Sequence, residues 1–363
     1  MPTPLIVNPT PTSDSRLTTC AAIVAASRMA LPYTLDLLLA GVRLAVGTNS
    51  PALAEALARH YAEFPGDGGE PDVAVWAIDG DSPRFDLPFA LYGESGAKEE
   101  YVDLPDGRVV RKRRTGLWLV FGPAGNYVLG PCAEQPQQVV NAINARLADF
   151  ELCRGARLLH AAGVATASAG LAISGFAGAG KSTLALEIMR HGADFLTNDR
   201  VLVNADASGL YLTGIARAPR VNPGTILAND RLESLLPEDE RAAYAGLPKR
   251  ELWGLERKYD VPIAACFGPG RVRLRARLTA LVVLAWKPGG GALEAQWTTL
   301  VQRSELLPAL VKDLGVLFGH GPLPADVDGY LTLLGQCPVL AVSGGVDFPR
   351  AAALCLDVLG RGA

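Results

Sequence analysis

The sequence predicts an α/β protein, with a C-terminal nucleotide-binding core and a separate N-terminal α+β domain. Three observations carry that assignment. Leu171–Val203 reads as strand, glycine-rich turn, helix and strand. Strand-like and helix-like segments alternate through the second half, as in helices packed on a sheet. The first half holds short strands divided by turn residues, with few helical repeats. A helical repeat over Gln135–Arg154 (Val139, Ile143, Leu147, Phe150) bridges the halves. The domains are therefore expected at 1–133 and 134–363.

The 363 residues suffice for two such domains; 49% are hydrophobic and 20% charged, a globular profile. A net charge of −3 gives no electrostatic case for nucleic acid or a membrane surface. No apolar run reaches the ~18 residues of a membrane-spanning helix. The N-terminus MPTPLIVNPTPTSDSR lacks the basic and apolar regions of a signal peptide, so a cytoplasmic location is expected. The six cysteines form no C-x-x-C pair, and with four histidines complete no metal-ligand spacing. Idle thiols in a reducing compartment are expected.

In order, 16–30 predicts a first helix. Thr34–Leu39 and Val42–Val46 predict two strands around a tight turn at Ala40-Gly41. Ser50 caps a helix over Ala52–Phe64, with Pro51 at its first position. Strands follow at Asp72–Ile78, Gly107–Arg113, Leu117–Phe121 and Asn126–Leu129, the last three as an antiparallel meander. The run Arg108, Arg111, Lys112, Arg113, Arg114 reads as a solvated edge, or else as a docking face for an acidic partner.

The second half opens with strands at Leu158–Thr166 and Leu171–Ser174. Between the latter and a helix over Lys181–Arg190 lies Gly175-Phe176-Ala177-Gly178-Ala179-Gly180-Lys181-Ser182-Thr183, a G-x-x-x-x-G-K-S sequence. Glycines let consecutive N–H groups converge on phosphate oxygens, and the positive end of the helix favours the same anion. Lys181 would meet the β- and γ-phosphates, and the Ser182 hydroxyl would be a ligand of Mg²⁺. Phe195–Val203 and Leu210–Ile215 are predicted strands. An acidic helix over Arg231–Tyr244, a strand pair over Val272–Trp286 and a turn at Gly289–Gly291 come next. A strand at Leu293–Thr298, helices near Arg303–Asp313 and Asp326–Leu334, a strand at Val339–Val342 and a helix over Pro349–Leu359 complete the chain.

Three features resemble the HPr kinase/phosphorylase family, specifically HprK-related kinase B. Leu159-His160 lies fifteen residues before Gly175, the family's spacing for a histidine preceding the loop. The loop and helix GFAGAGKSTLALEIMRHG are similar through to Gly192. Thr197-Asn198-Asp199-Arg200-Val201 falls where the family has an Asp-Asp pair, and Phe267-Gly-Pro-Gly270-Arg271 echoes a later Pro-Gly-Arg segment. The resemblance spans about 157–284. It implies a phosphoenolpyruvate-carboxykinase-like P-loop kinase core using ATP and Mg²⁺. The γ-phosphoryl would pass to a hydroxyl, a serine of a small protein in the founding members. It also implies catalytic roles for His160, Asn198, Asp199 and Arg271, and a metal role for Asp199 beside Ser182.

The chain departs from the pattern at Asn198, where the family's general base stands; an amide cannot accept a proton at neutral pH. Asp199 or His160 would then take the proton, or little base is needed, since phosphoryl transfer asks mostly for positioning and charge neutralisation. Arg217, Ala218, Pro219 and Arg220 stand where the family has a further acidic residue, which argues against phosphorylase activity. On residues alone, Asp199 also reads as a cap or surface carboxylate and His160 as a satisfied core group.

Arg271, Arg273, Arg275 and Arg277 alternate with Val272, Leu274, Ala276 and Leu278, which puts the guanidiniums on one face of a strand: a solvated face, or an anion contact led by Arg271. The charged block Lys249–Asp260 reads as a lid or as a solvated helix. The acceptor is expected to be a protein or peptide, with no nucleic acid or membrane partner and a homo-oligomer left open. A small-molecule kinase and a nucleotide-binding regulatory module with little turnover are the alternatives.

Overall fold

A two-residue connection sets the start of the fold. The computed structural model describes residues 18–93, 97–176, 178–311, 315–318 and 327–360, apart from the side chain of Arg250. Within it, β1 (Tyr33–Leu39) and β2 (Val42–Thr48) are joined by Ala40 and Gly41 alone. Their φ angles are 54° and 88°. A two-residue hairpin loop of the type I′ class needs positive φ at both positions, which glycine accepts and alanine resists. Before the hairpin, α1 (Cys20–Ala26) begins at Thr19, whose hydroxyl accepts from Ala22 N. The Asp106 carboxylate accepts from Cys20 N and Ala21 N, satisfying two orphan amides of that helix. The predicted Ser50 cap is present on α2 (Pro51–His60), which stops short of Phe64.

The strands β3 (Val73–Asp79), β4 (Ala90–Leu91), β5 (Glu99–Leu104), β6 (Gly107–Lys112), β7 (Trp118–Gly122) and β8 (Gly125–Gly130) complete an eight-stranded sheet. Its order is β1-β2-β3-β8-β7-β6-β5-β4. The meander is present and longer than predicted, because Glu99–Leu104 pairs antiparallel with β6. That pairing also corrects the solvated-edge reading of the basic run. β6 lies inside the sheet, and Glu99, Glu100 and Asp103 stand directly opposite Lys112, Arg111 and Arg108. All three pairs are ion-paired, and Arg108 and Lys112 are buried. Opposite charges at facing positions are what hold a strand with so few apolar residues in place.

After α3 (Pro136–Cys153), a nine-stranded sheet is built from β9 (Arg157–Leu159), β10 (Ala161–Ala165), β11 (Gly170–Gly175), β12 (Asp194–Thr197), β13 (Val201–Asp206), β14 (Gly209–Gly214), β17 (Arg275–Leu284), β18 (Leu293–Thr298) and β19 (Val339–Gly344). The short β15 (Arg220–Val221) and β16 (Tyr259–Asp260) pair separately. The helices are α4 (Lys181–Arg190), α5 (Pro223–Leu227), α6 (Glu238–Ala245), α7 (Lys249–Gly254), α8 (Ile263–Phe267), α9 (Val327–Leu334) and α10 (Phe348–Gly360). β11 runs parallel to β17, and β17 parallel to β19. Leu171, Ala172 and Ile173 are wholly buried, as a strand covered on both faces requires. Leu171 and Ile173 join the core under α4 and α10; Ala172 joins the core with Leu306, Leu310 and Leu334.

Five expectations are corrected. Leu158–Thr166 is two strands broken at His160, and Phe195–Val203 is two broken at Asn198–Arg200. Val272–Trp286 holds one strand rather than a pair, since no glycine or proline interrupts it to reverse the chain. The acidic helix is a 3₁₀ turn, Asp230–Leu235, and then α6, divided at Pro237, which caps α6. The helix predicted near Arg303 is a 3₁₀ segment, Ser304–Ala309. Residues 16–17, 312–313 and 326 of the predicted helices lie outside the described residues.

By contact density the chain forms two compact units, Met1–Thr34 with Val46–Ala56 and Ala74–Ala142, and Leu35–Ala45 with Leu57–Val73 and Ile143–Ala363. No helix among the described residues is long and apolar enough to cross a membrane.

The hairpin turn supplies a test. Ala40→Gly removes the side chain that opposes φ 54°. It should stabilise the protein by about 0.5–1 kcal/mol in urea unfolding, after the extra entropy of an unfolded glycine is counted. A loss of stability would show that the turn carries no such strain.

Candidate functional site

Strand register brings three sequence-distant segments to one edge of the larger sheet. β10 is antiparallel to β11 with Ala161 opposite Ser174, so His160 comes level with Gly175 and the loop that follows it. β12 is antiparallel to β10 with Thr197 opposite Gly163, so Asn198 and Asp199 leave the sheet at that same edge. The edge is also the carboxyl end of the parallel strands β11 and β17, Gly175 standing opposite Leu284. Open α/β sheets present their ligands at such carboxyl ends.

The loop between β11 and α4 has the predicted strand–turn–helix frame. Gly178 has φ 79° with open space where a Cβ would stand, and Gly180, the N-cap of α4, has φ 84°. No side chain caps α4. The first amides of a helix have no intrahelical acceptor, so this end is suited to an anion. Lys181 folds back over the loop, its Nζ donating to Gly175 O at 2.9 Å and Phe176 O at 3.4 Å. Phe176 is exposed, Ala179 and Ser182 are half-buried, and the Thr183 hydroxyl bonds that of Thr225 on α5 at 2.8 Å. Ala177 lies outside the described residues.

Facing the loop, His160 Nε2 lies 3.3 Å from Asp199 Oδ1, with the His160 side chain 29% and the Asp199 side chain 54% exposed. The backbone around both is pinned. His160 N donates to Leu310 O. The Ser174 hydroxyl, fully buried, lies within hydrogen-bond reach of both His160 O and Ala309 O and shares its single proton between them. The Thr197 hydroxyl donates to Arg200 O at 2.7 Å and accepts from Ile215 N at 3.3 Å, closing the turn that carries Asn198 and Asp199. Asn198 Oδ1 is buried without a hydrogen-bond partner. An orphaned buried acceptor is rare in folded proteins and here sits beside the proposed chemistry.

Arg271 is held elsewhere. Its guanidinium bonds Asp194 at 2.8 Å, and Arg273 bonds the other oxygen of the same carboxylate at 3.2 Å. Asp194 opens β12 whereas Asp199 follows its end, so Arg271 is not brought to the loop. Arg275 stacks on Tyr211 at 3.7 Å and pairs with Asp206. Arg271, Arg273 and Arg275 thus meet anions, but these are the protein's own, Asp194 and Asp206.

For a metal, the described residues contain no group of three or more His, Cys, Asp or Glu side chains arranged to hold an ion. Mg²⁺ takes one or two protein ligands and completes its shell with water and substrate phosphates, so the hard oxygens of Ser182 and Asp199 fit it. The thiols are not poised as nucleophiles: burial pushes Cys20, Cys337 and Cys355 up to about 12.

Sequence reasoning missed Ser174, Thr225, Trp286 and Phe348, which support the loop and its neighbours. They lie in ordinary apolar or turn contexts, and only tertiary packing brings them there.

No family model matches the chain, and no curated protein does. Among solved structures, the Hpr(Ser) kinase/phosphatase from Coxiella burnetii is a weak neighbour. It is 12% identical, with 56% of this chain and 88% of that one covered and a TM-score of 0.31. A likeness of that degree carries no functional argument.

Ser174→Ala should cost about 1–3 kcal/mol in urea unfolding, since it removes the buried hydroxyl that serves Ala309 O and His160 O. An unchanged midpoint would show that water replaces the hydroxyl and that the anchor on His160 is not needed for stability.

Proposed function

We propose that this chain is an ATP-dependent phosphotransferase. It would transfer the γ-phosphoryl group to a hydroxyl, by preference a serine of a protein or peptide. One observation carries the reading: a phosphate-type glycine loop opening α4 lies at the same sheet edge as the His160–Asp199 pair. A loop of this kind alone would indicate only nucleotide binding. A histidine–carboxylate pair beside it adds the means to handle a proton and a metal next to the terminal phosphate. The finer assignment, a phosphoenolpyruvate-carboxykinase-like P-loop core of the HprK-related kinase B type, rests on the motifs at 157–284.

In this reading the amides of Gly178–Ser182 receive the phosphates, and Lys181 exchanges its carbonyl partners for β- and γ-phosphate oxygens. Ser182 and Asp199 would hold Mg²⁺, which when bound neutralises phosphate charge. His160, oriented by Asp199, is the group that takes the acceptor's proton. Asn198 cannot take it, and its amide instead donates a hydrogen bond to a phosphate or to the acceptor. The absence of a carboxylate at Asn198 favours a second reading, a nucleotide-binding regulatory module with little turnover.

The deciding experiment is ³²P transfer from ATP into a lysate of the source organism, resolved into protein and small-molecule fractions. Label in the protein fraction supports the proposal; none in either fraction supports the regulatory module. Lys181→Ala should lower ATP affinity at least about tenfold, because a charge-assisted contact is lost, while the chain stays folded. Unchanged affinity in a folded variant would remove the phosphate loop from the argument.

Asn198→Asp separates a lost base from an adapted site. The new carboxylate would place an oxygen where the present Oδ1 has no donor, and it would stand next to Asp199. Both effects resist ionisation there and disturb Asp199. Single-turnover transfer should therefore fall, by about tenfold or more, the inverse of what a restored general base would give. A rate that rises and titrates with one new group would overturn this reading.

A further inference from the structure

The carbonyls of a phosphate loop must point away from the anion that its amides receive. One of them is held by a side chain far along the sequence. Trp286 Nε1–H donates to Ala179 O at 2.8 Å, across 107 positions. The indole is only 7% exposed, and the Phe348 ring meets it edge to face at 5.1 Å and 82°. Phe348 also occupies the space beside Gly180, where a Cβ would stand 2.6 Å from the ring. The two rings stand on firm ground. Ala285 N and Lys287 N, on either side of Trp286, bond Val342 O and Gly344 O, and Phe348 is the first residue of α10.

The Ala179 carbonyl and the Gly180 N–H belong to one planar trans peptide, so they point in opposite directions. A donor that fixes the carbonyl fixes the amide as well. We propose that Trp286, backed by Phe348, is a positioning residue for the phosphate loop. Its indole N–H draws the Ala179 carbonyl out of the cradle and so aims the Gly180 amide at the bound phosphates. The proposal rests on the phosphate-binding reading of the loop. It adds a residue that no motif contains, together with a specific consequence: the indole N–H serves the phosphates, not the rest of the ligand.

The test compares wild type with Trp286→Phe, which keeps an aromatic ring and removes the donor. Titrations use ATP and inorganic tripolyphosphate, the latter carrying phosphates without base or ribose. Both affinities should fall together, by about five- to tenfold, the effect of one lost hydrogen bond. Tripolyphosphate should also change tryptophan emission in wild type and not in Trp286→Phe, because only Trp286 reports the pinned carbonyl.

Equal affinities for wild type and a folded Trp286→Phe would overturn the positioning role. Failure of wild type to bind either ligand would instead overturn the phosphate-binding reading beneath it. If Trp286→Phe does not fold, Phe348→Leu decides: it leaves the indole donor and removes the ring behind it. Several-fold weaker tripolyphosphate binding by Phe348→Leu supports the brace, and unchanged binding overturns it.

Discussion

The candidate site depends on two breaks in one pair of chain segments. Residues 157–165 and 194–206 run antiparallel, and each is interrupted once, at His160 and at Asn198–Arg200. On one side of the interruption β9 pairs with β13; on the other β10 pairs with β12, with a register shift at Gly163/Val164. The pair therefore bends between two arms of the sheet, with β17 common to both through β14 and β11. Bulges and bends are the usual way strands turn such corners. An unbroken strand would send successive side chains to alternate faces and into the cores. The bend frees His160 and Asp199 from that alternation and sets them 3.3 Å apart.

Much of the architecture was legible because its causes are local. Gly178 and Gly180 need positive φ, Ser50 caps α2, and Leu171–Ile173 is apolar enough for a doubly covered strand. The two broken strands were not legible. Leu158-Leu-His-Ala-Ala-Gly-Val carries the composition of a continuous strand, and its break comes from the neighbours each half acquires; in Phe195-Leu-Thr-Asn-Asp-Arg-Val the turn-favouring Asn198-Asp199 is the one local sign of the break. β5 was missed for a related reason. Glu99-Glu-Tyr-Val-Asp-Leu has too little apolar surface to announce itself, and the cations opposite it in β6 supply the missing attraction. In the site, motif spacing marked the loop, His160 and Asp199 as candidates, and the 3.3 Å approach of His160 to Asp199 is visible only in the fold. Arg271 did not follow, because a motif cannot show that a guanidinium has a closer anion elsewhere.

That difference separates the carboxylates found at the two ends of β12. Asp194 opens β12 and Asp199 lies just past its end, yet Asp194 is 16% exposed and accepts from two guanidiniums, one on each oxygen. Two fixed cations neutralise it and saturate its geometry, so a metal or a substrate would first have to displace an arginine. Asp199 is 54% exposed and meets a histidine, whose charge is conditional on a proton. Sequence gives the two residues the same chemistry, and their partners and exposure set them apart. Arg271 and Arg273 therefore belong to the frame that fixes the start of β12, and the bend at its end carries the His160–Asp199 pair.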